Sequence, residues 1–378
     1  MIYLLSLILA LLPAYLIRLK LFGLPTTFLE LLIVVFLFGT VVSRLIGSKK
    51  LMNQLASIKR LGKINYAIGL FVLAGIISTI ISPEKLPALG QLKAFIIEPV
   101  LVFYAAVLII DSKEKLATVL RWLFLSAGLI SLFGIIQYFT YIHLPLRFWG
   151  TGDEVERITS VFDYPNALAL YLAPLIGFYF TLWLKRYDLG LKKWLPTGLI
   201  IMGLGLLLTF SRGAWFAVAL VALVLLARKY GLKKVLPAVV IAGLILFFIP
   251  AINQRIRLGL ADPSSSAHLD LIRLSWQKIM QNPILGNGLG GFAILNQGVS
   301  YPHNIFFNFW LEMGLLGLIS FGAVCVFVFK QYKIHPNALT LASGVFITVV
   351  ILHGLVDVPY FKNDLSVLFW FMVAAAHI

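Results

Sequence analysis

The sequence predicts an all-α polytopic membrane protein of about 12 transmembrane helices, with a large external loop between helices 9 and 10, on three observations. Hydrophobic residues make up 61% of the chain and charged residues 12%, whereas an ordinary soluble domain has about 45–50% and about 25%. Apolar runs of about 15 to 25 residues follow one another along nearly the whole length, and about 20 residues of helix cross a hydrocarbon core. Lys and Arg gather between alternate runs, as they do in loops kept on the cytoplasmic side.

The runs fall near 2–17, 25–43, 64–82, 88–110, 116–139, 165–184, 194–211, 213–227, 235–250, 303–329, 338–356 and 364–378. Helix is the one element expected for them, and residues 1–378 read as a single integral membrane domain. No Lys or Arg precedes the first run and further runs follow at once, so it is expected to stay in the membrane. Arg44, Lys49, Lys50, Lys59, Arg60 and Lys63 lie between the second and third runs, and Lys113 and Lys115 between the fourth and fifth. Lys185, Arg186, Lys192 and Lys193 follow the sixth, Arg228, Lys229, Lys233 and Lys234 the eighth, and Lys330 and Lys333 the tenth. That alternation accounts for most of the net charge of +16 without a nucleic-acid partner and puts both termini in the cytoplasm. Cys325, the single cysteine, falls inside the tenth run, which excludes an intramolecular disulfide and a cysteine metal cluster.

The cations on the opposite side run against this bias. For Arg18, Lys20 and Lys278, anionic lipid headgroups suffice. Arg212 is different: it sits in LLLTFSRGAWFAV, where the seventh and eighth runs meet with almost no loop, and an ionisable residue at such a tip faces the bundle or a wet cavity. Arg157 and Arg273 lie in the two longest outer segments, 140–164 and 251–302. Guanidinium is permanently charged and forks its donors to match phosphate oxygens, so three of them facing one compartment suit a pyrophosphate. Ion pairs with Asp153, Glu154, Asp262 or Asp270 are the rival explanation.

The external loop 251–302 has its own organisation. DPSSS offers helix caps, SAHLDLIRLSWQKIMQ reads as a short amphipathic helix along the membrane surface, and NPILGNGLGGF ends it in a glycine-rich turn. GNGLGG has no strand before it, which excludes a dinucleotide fingerprint. The tenth run opens with YPHNIFFNFWLEMGLLGLISF: His303 and Asn304 fall at its outer mouth, and Asn304, Asn308 and Glu312 recur every four residues. That spacing makes a polar stripe expected to face the bundle interior, with Gly314 and Gly317 below it permitting close packing. Imidazole at an aqueous mouth suits a general base, and a capping or interfacial histidine is the alternative.

These residues carry a resemblance. HN, nine residues, then GLLG resembles the signature of the O-antigen ligase and polymerase superfamily of bacterial membrane glycosyltransferases. RITSVFDYPN at 157–166, SRGAW at 211–215 and RLSWQKIMQNPILGNGLGGF at 273–292 match in order, so the motif-bearing region is about 157–317. Ser160 stands where relatives often have glycine, and Phe216 where leucine is common. The resemblance implies transfer of a glycan from a polyprenyl pyrophosphate (undecaprenyl pyrophosphate) to an acceptor hydroxyl at the external face of the inner membrane, inverting the anomeric centre, with no metal, nucleotide or other cofactor. It implies His303, Arg212 and Arg273 as catalytic residues and Arg157, Asn166, Asn304 and Asn308 as substrate-binding ones. The acceptor it favours is a lipid A core, as in a ligase, with a growing carrier-linked chain or a pilin-type protein as alternatives. A lipid-linked glycan transporter is the rival from another class; the halves show no internal repeat that would support it.

Overall fold

A computed structural model describes residues 1–21, 24–45, 58–59, 61–150, 155–258, 263–295 and 301–378. Lys49, Lys50, Arg60, Asp153, Glu154 and Asp262 lie outside the described residues. Helices α1 (Ile2–Ala10), α2 (Phe28–Leu45), α3 (Ile64–Ile81), α4 (Lys85–Ile109) and α5 (Lys113–Thr140) form the first half. They are followed by α6 (Pro165–Leu184), α7 (Trp194–Leu208), α8 (Arg212–Tyr230), α9 (Leu232–Phe247) and α10 (Pro250–Leu258). The rest is α11 (Pro263–Gln281), α12 (Gly291–Leu295), α13 (Ile305–Ile334), α14 (Ala338–His353) and α15 (Asn363–Ala375).

Helix therefore occupies most of each apolar run, but the expected count of twelve spans is not met by length. Among the described residues six helices, α3, α4, α5, α6, α8 and α13, are each long and apolar enough to cross a membrane, or seven if the bent pair α9 and α10 counts as one span. Four other apolar helices have 10–17 residues within their apolar part, and α1 has 9. The first run shows why. Pro13 cannot donate a backbone hydrogen bond, so the helix gives way at Leu11 to a 3-10 turn, Leu12–Leu16. An antiparallel hairpin then follows, β1 (Arg18–Leu21) paired with β2 (Leu24–Thr27), across the link between the first and second runs and into the first residues of the second.

Burial follows composition. α6 is apolar on every side, and 89% of its apolar window is buried, against 22% for α8, so α6 is a central helix and α8 a peripheral one. α15 is buried along all its residues. α14 lies against α6 where Gly177 lets the backbones close: a Cβ there would sit 3.2 Å from Val345 Cγ1.

The segment that positions the candidate site is the break in α13. Gly314 has φ 65° and ψ −170°, a conformation essentially confined to glycine. Interrupting a helix strands backbone donors and acceptors, which inside a membrane protein need protein partners. The glycine-rich turn supplies them. Asn287 N–H donates to Leu311 O (2.6 Å), and Leu315 N–H donates to Ile284 O (3.0 Å). Gly290 N–H donates to Glu312 Oε2 (3.0 Å), and the Ser78 hydroxyl donates to Glu312 O. The turn is thus no surface loop: Ser82 Oγ donates to Leu289 O (2.8 Å), and Gly288 is packed against the Ser82 backbone. Gly314, expected to serve helix packing, is where another segment enters the helix.

The expected amphipathic helix is α11. Leu271 and Ile279 pack with Phe292 and Leu311, while Trp276 and Arg273 are exposed.

Candidate active site

His303 is held in the left-handed region (φ 51°) immediately before α13. Asn304 is the cap: its Oδ1 accepts from the N–H groups of Phe306 and Phe307, both at 3.0 Å, which satisfies two of the donors a helix start leaves open. Its Nδ2 donates to Leu355 O (3.1 Å), and Ile305 N–H donates to Gly354 O (2.7 Å). These bonds fasten the start of α13 to the turn after α14.

That fastening brings Asp357 to His303, with Oδ1 at 3.6 Å from Nδ1, an ion contact longer than a hydrogen bond. Asp357 is buried, and each oxygen has further support: Val358 N–H donates to Oδ1 (2.8 Å) and Asn166 Nδ2 donates to Oδ2 (3.2 Å). Asn166 Oδ1 in turn accepts from Arg157 Nη2 (2.7 Å), and Arg157 Nε donates to Thr209 O (2.9 Å). A continuous polar chain, Arg157–Asn166–Asp357–His303, links the loop before α6, the start of α6, the turn after α14 and the mouth of α13.

Burial alone pushes the Asp357 carboxyl up, but the contact with His303 and the charges of His353 and His303 outweigh it and hold the group below its ordinary range. A carboxyl held lower in the folded state contributes stability above its unfolded value of 3.8, lost as pH falls through the lower folded value. Acid unfolding in detergent is therefore expected to shift to higher pH in Asp357→Asn, and identical acid midpoints would contradict this.

Aromatic rings close one side. The Tyr164 and Tyr301 hydroxyls are 3.0 Å apart, and the Tyr301 ring meets His303 edge-on at 5.0 Å. Burial pushes both hydroxyls up, so they stay protonated. Lys362 Nζ stands 4.0 Å from the Tyr164 ring centre, and burial lowers its pKa although Asp364, Asp357 and Asp163 oppose that.

Arg212 is the first residue of α8, and the next residue, Gly213, packs on the same turn as Asp357: a Cβ there would sit 3.3 Å from His353 Cδ2. The link before α8 also draws Arg255, whose Nε donates to Phe210 O (3.3 Å). Arg157 and Arg255 thus bind adjacent carbonyls of the turn that Arg212 follows.

Arg273 stands apart. It is 78% exposed on α11, and its Nη1 is 3.4 Å from Asp270 Oδ1, itself 73% exposed. The ion pair weighed as the rival for this arginine is the contact it makes, whereas Arg157 and Arg212 are drawn to the His303 end. An exposed pair of this kind contributes about 0–1 kcal/mol, so Arg273→Ala is expected to leave the melting temperature within about 2 °C of wild type. Asn308 and Glu312 are buried, as the stripe predicts. Among the described residues the Asn308 amide oxygen has no hydrogen-bond partner. Ser160, at φ 53°, explains why glycine suits its position; its hydroxyl donates to Ile130 O (2.6 Å) and its N–H to Gln137 Oε1 (2.8 Å).

Sequence reasoning placed neither Asp357 nor Arg255 among the candidate site residues. The usable signal for Asp357 was scarcity: the chain has 15 acidic residues, and this one lies between two apolar runs, four residues after His353.

Residues 197–322, one third of the chain, match the family model described as O-antigen ligase. Over those residues the chain is similar to the O-antigen ligase family. The matched segment holds Arg212, Arg255, Arg273, His303 and the break in α13, while Arg157, Asn166 and Asp357 approach it from outside. No curated protein matches the chain.

Proposed function

We propose that this O-antigen ligase superfamily member transfers a glycan from a polyprenyl-pyrophosphate carrier to an acceptor hydroxyl at the external membrane face, with the acceptor a lipid A core. The observation that carries it is the Arg157–Asn166–Asp357–His303 chain ending at the capped mouth of α13. The acceptor hydroxyl attacks the anomeric carbon as its proton passes to His303; the bond from that carbon to the phosphate oxygen breaks, and the carrier leaves as pyrophosphate. Because His303 Nδ1 faces Asp357, Nε2 is assigned the proton, and the buried carboxylate balances the charge the ring acquires. Asn304 fixes the backbone that carries the ring, and Asn308 lies one helical turn below. Arg212 and Arg157 meet the charge developing on the leaving pyrophosphate, with Arg273 reaching substrate from the exposed face of α11. A pocket of about 840 Å³ lined by His143, Arg147, Asp163 and Tyr164 opens beside Tyr164 and is wide enough for sugar residues.

A helix break is also a transporter feature, but this one is filled by the glycine-rich turn, with Leu311, Met313 and Gly314 buried. Mixing the purified protein with carrier-pyrophosphate oligosaccharide and lipid A core, with chelator and without nucleotide, is expected to put glycan on the core. A ladder that stays on the carrier would make it a polymerase, and inertness toward both would direct the search to protein acceptors and then to transport. With both termini cytoplasmic, a reporter fused after Ile378 is expected to be active only on the cytoplasmic side.

A further inference from the structure

At the end of the bundle opposite His303, α8, α13 and α14 enclose a groove of about 530 Å³. Its position follows from the helices. Arg212 opens α8 near His303, and Arg228 lies 16 residues on, about 24 Å along the axis. Lys333 likewise ends α13, which starts beside His303. The groove runs inward from Leu220 and Leu352 along Val224, Phe329 and Val345 to a mouth at Arg228 and Lys333. Gly344 lies on its wall, where a Cβ would rest 3.6 Å from Phe329 and anything larger would fill the space. A smaller adjoining cavity of about 190 Å³ adds Lys185 to the same mouth, again lined by Arg228.

Two chemistries coincide there. The walls are mostly aliphatic and aromatic, and the Thr340 and Thr348 hydroxyls among them donate to backbone carbonyls, which suits a hydrocarbon chain better than a sugar. The mouth gathers Lys185, Arg228 and Lys333, with Lys229 beside them donating to Leu184 O, and among the described residues no acidic side chain pairs with Lys185, Arg228 or Lys333. Basic pockets between transmembrane helices at one membrane face are where anionic lipid headgroups bind. We propose that this groove is a binding site for a phospholipid with an anionic headgroup, its phosphate held by Lys185, Arg228 and Lys333 and one acyl chain laid between α8, α13 and α14. The charges complement the phosphate, and the apolar walls exclude an inorganic anion as the whole occupant. The site is separate from the His303 chain, so its occupancy is measured without reference to glycan transfer.

The test is native mass spectrometry of the purified protein in a zwitterionic detergent, titrated with phosphatidylglycerol and, in parallel, with phosphatidylcholine of the same chains. The expected result is a first phosphatidylglycerol adduct at a concentration about tenfold lower than for phosphatidylcholine. A combined Lys185→Gln, Arg228→Gln, Lys333→Gln variant is expected to lose that preference. Gly344→Leu, which fills the groove and leaves the cations, is expected to weaken the first adduct about tenfold while keeping the protein's monodisperse elution. Equal affinity for the two lipids, or an adduct that survives both variants, would overturn the proposal. So would displacement of the lipid by millimolar inorganic phosphate, which would assign the mouth alone to a free anion. Preferential capture of a polyprenyl phosphate over phosphatidylglycerol, lost in Gly344→Leu, would give the groove to the carrier lipid instead.

Discussion

Replacing His303 by alanine is expected to lower glycan transfer about 10²- to 10⁴-fold, the usual contribution of a positioned general base, with donor binding little changed. The ring sits at the mouth of α13 in a backbone conformation fixed by the Asn304 cap and the turn after α14. The Asp357 carboxylate stands 3.6 Å from its Nδ1. Removing Asp357 should act through the ring: Asp357→Asn keeps the shape and the bond to Val358 but loses the charge, and a drop of about 10- to 100-fold is expected, in kcat and not in KM. Because the two residues form one unit, the double variant should be barely worse than His303→Ala alone. Transfer rates of the two single variants and the double variant, on protein shown to elute as folded, monodisperse species at the assay temperature, check this. Additive losses would mean that Asp357 does not work through His303, and a wild-type rate for His303→Ala would remove the ring from the chemistry.

Gly314→Val is expected to destabilise the fold by about 3 kcal/mol or more. The glycine-only backbone conformation accounts for about 1–3 kcal/mol of this, and the displaced turn for the remainder. A Cβ at Gly314 would lie 2.7 Å from Leu285 O, and backbone cannot move aside as a flexible side chain can. Forcing the turn out would also unpair Asn287 N–H, Leu315 N–H and Gly290 N–H from their partners on either side of the break. Gly322, on the same helix, is the control. A Cβ there meets nothing within 4 Å, so Gly322→Ala should be neutral or slightly stabilising. Thermal unfolding followed by loss of monodisperse protein in detergent distinguishes them. Similar midpoints for the two variants would mean that α13 runs unbroken.

The break also shows where local pattern stops being informative. GLLG reads as a helix-packing motif because glycine spacing on one chain says only that a surface is small. What makes Gly314 a hinge is the arrival of residues 284–290 from another segment, and nothing local to α13 announces it. The stripe Asn304, Asn308, Glu312 was legible because helical periodicity is local, and the burial of Asn308 and Glu312 follows from the cost of turning polar groups to lipid.

By itself, the sequence determined that the chain is a helical membrane protein, since runs of apolar residues of crossing length admit only structures that satisfy their own backbone. It also determined which segment carries His303, Arg212 and Arg157, because charges that oppose the topological bias stand out against an apolar background. Tertiary structure alone decided their company. Asp357 reaches His303 only because Asn304 and Ile305 bond to the turn after α14, and Arg255 joins the turn before Arg212 only because the chain bends by 95° between α9 and α10. Arg273 could not be separated from the other arginines by composition, since its exposure depends on which face of α11 meets α13. Helix length and polarity are properties of neighbours in the chain, whereas a catalytic constellation is a set of distances between residues far apart in it, and those are fixed by packing.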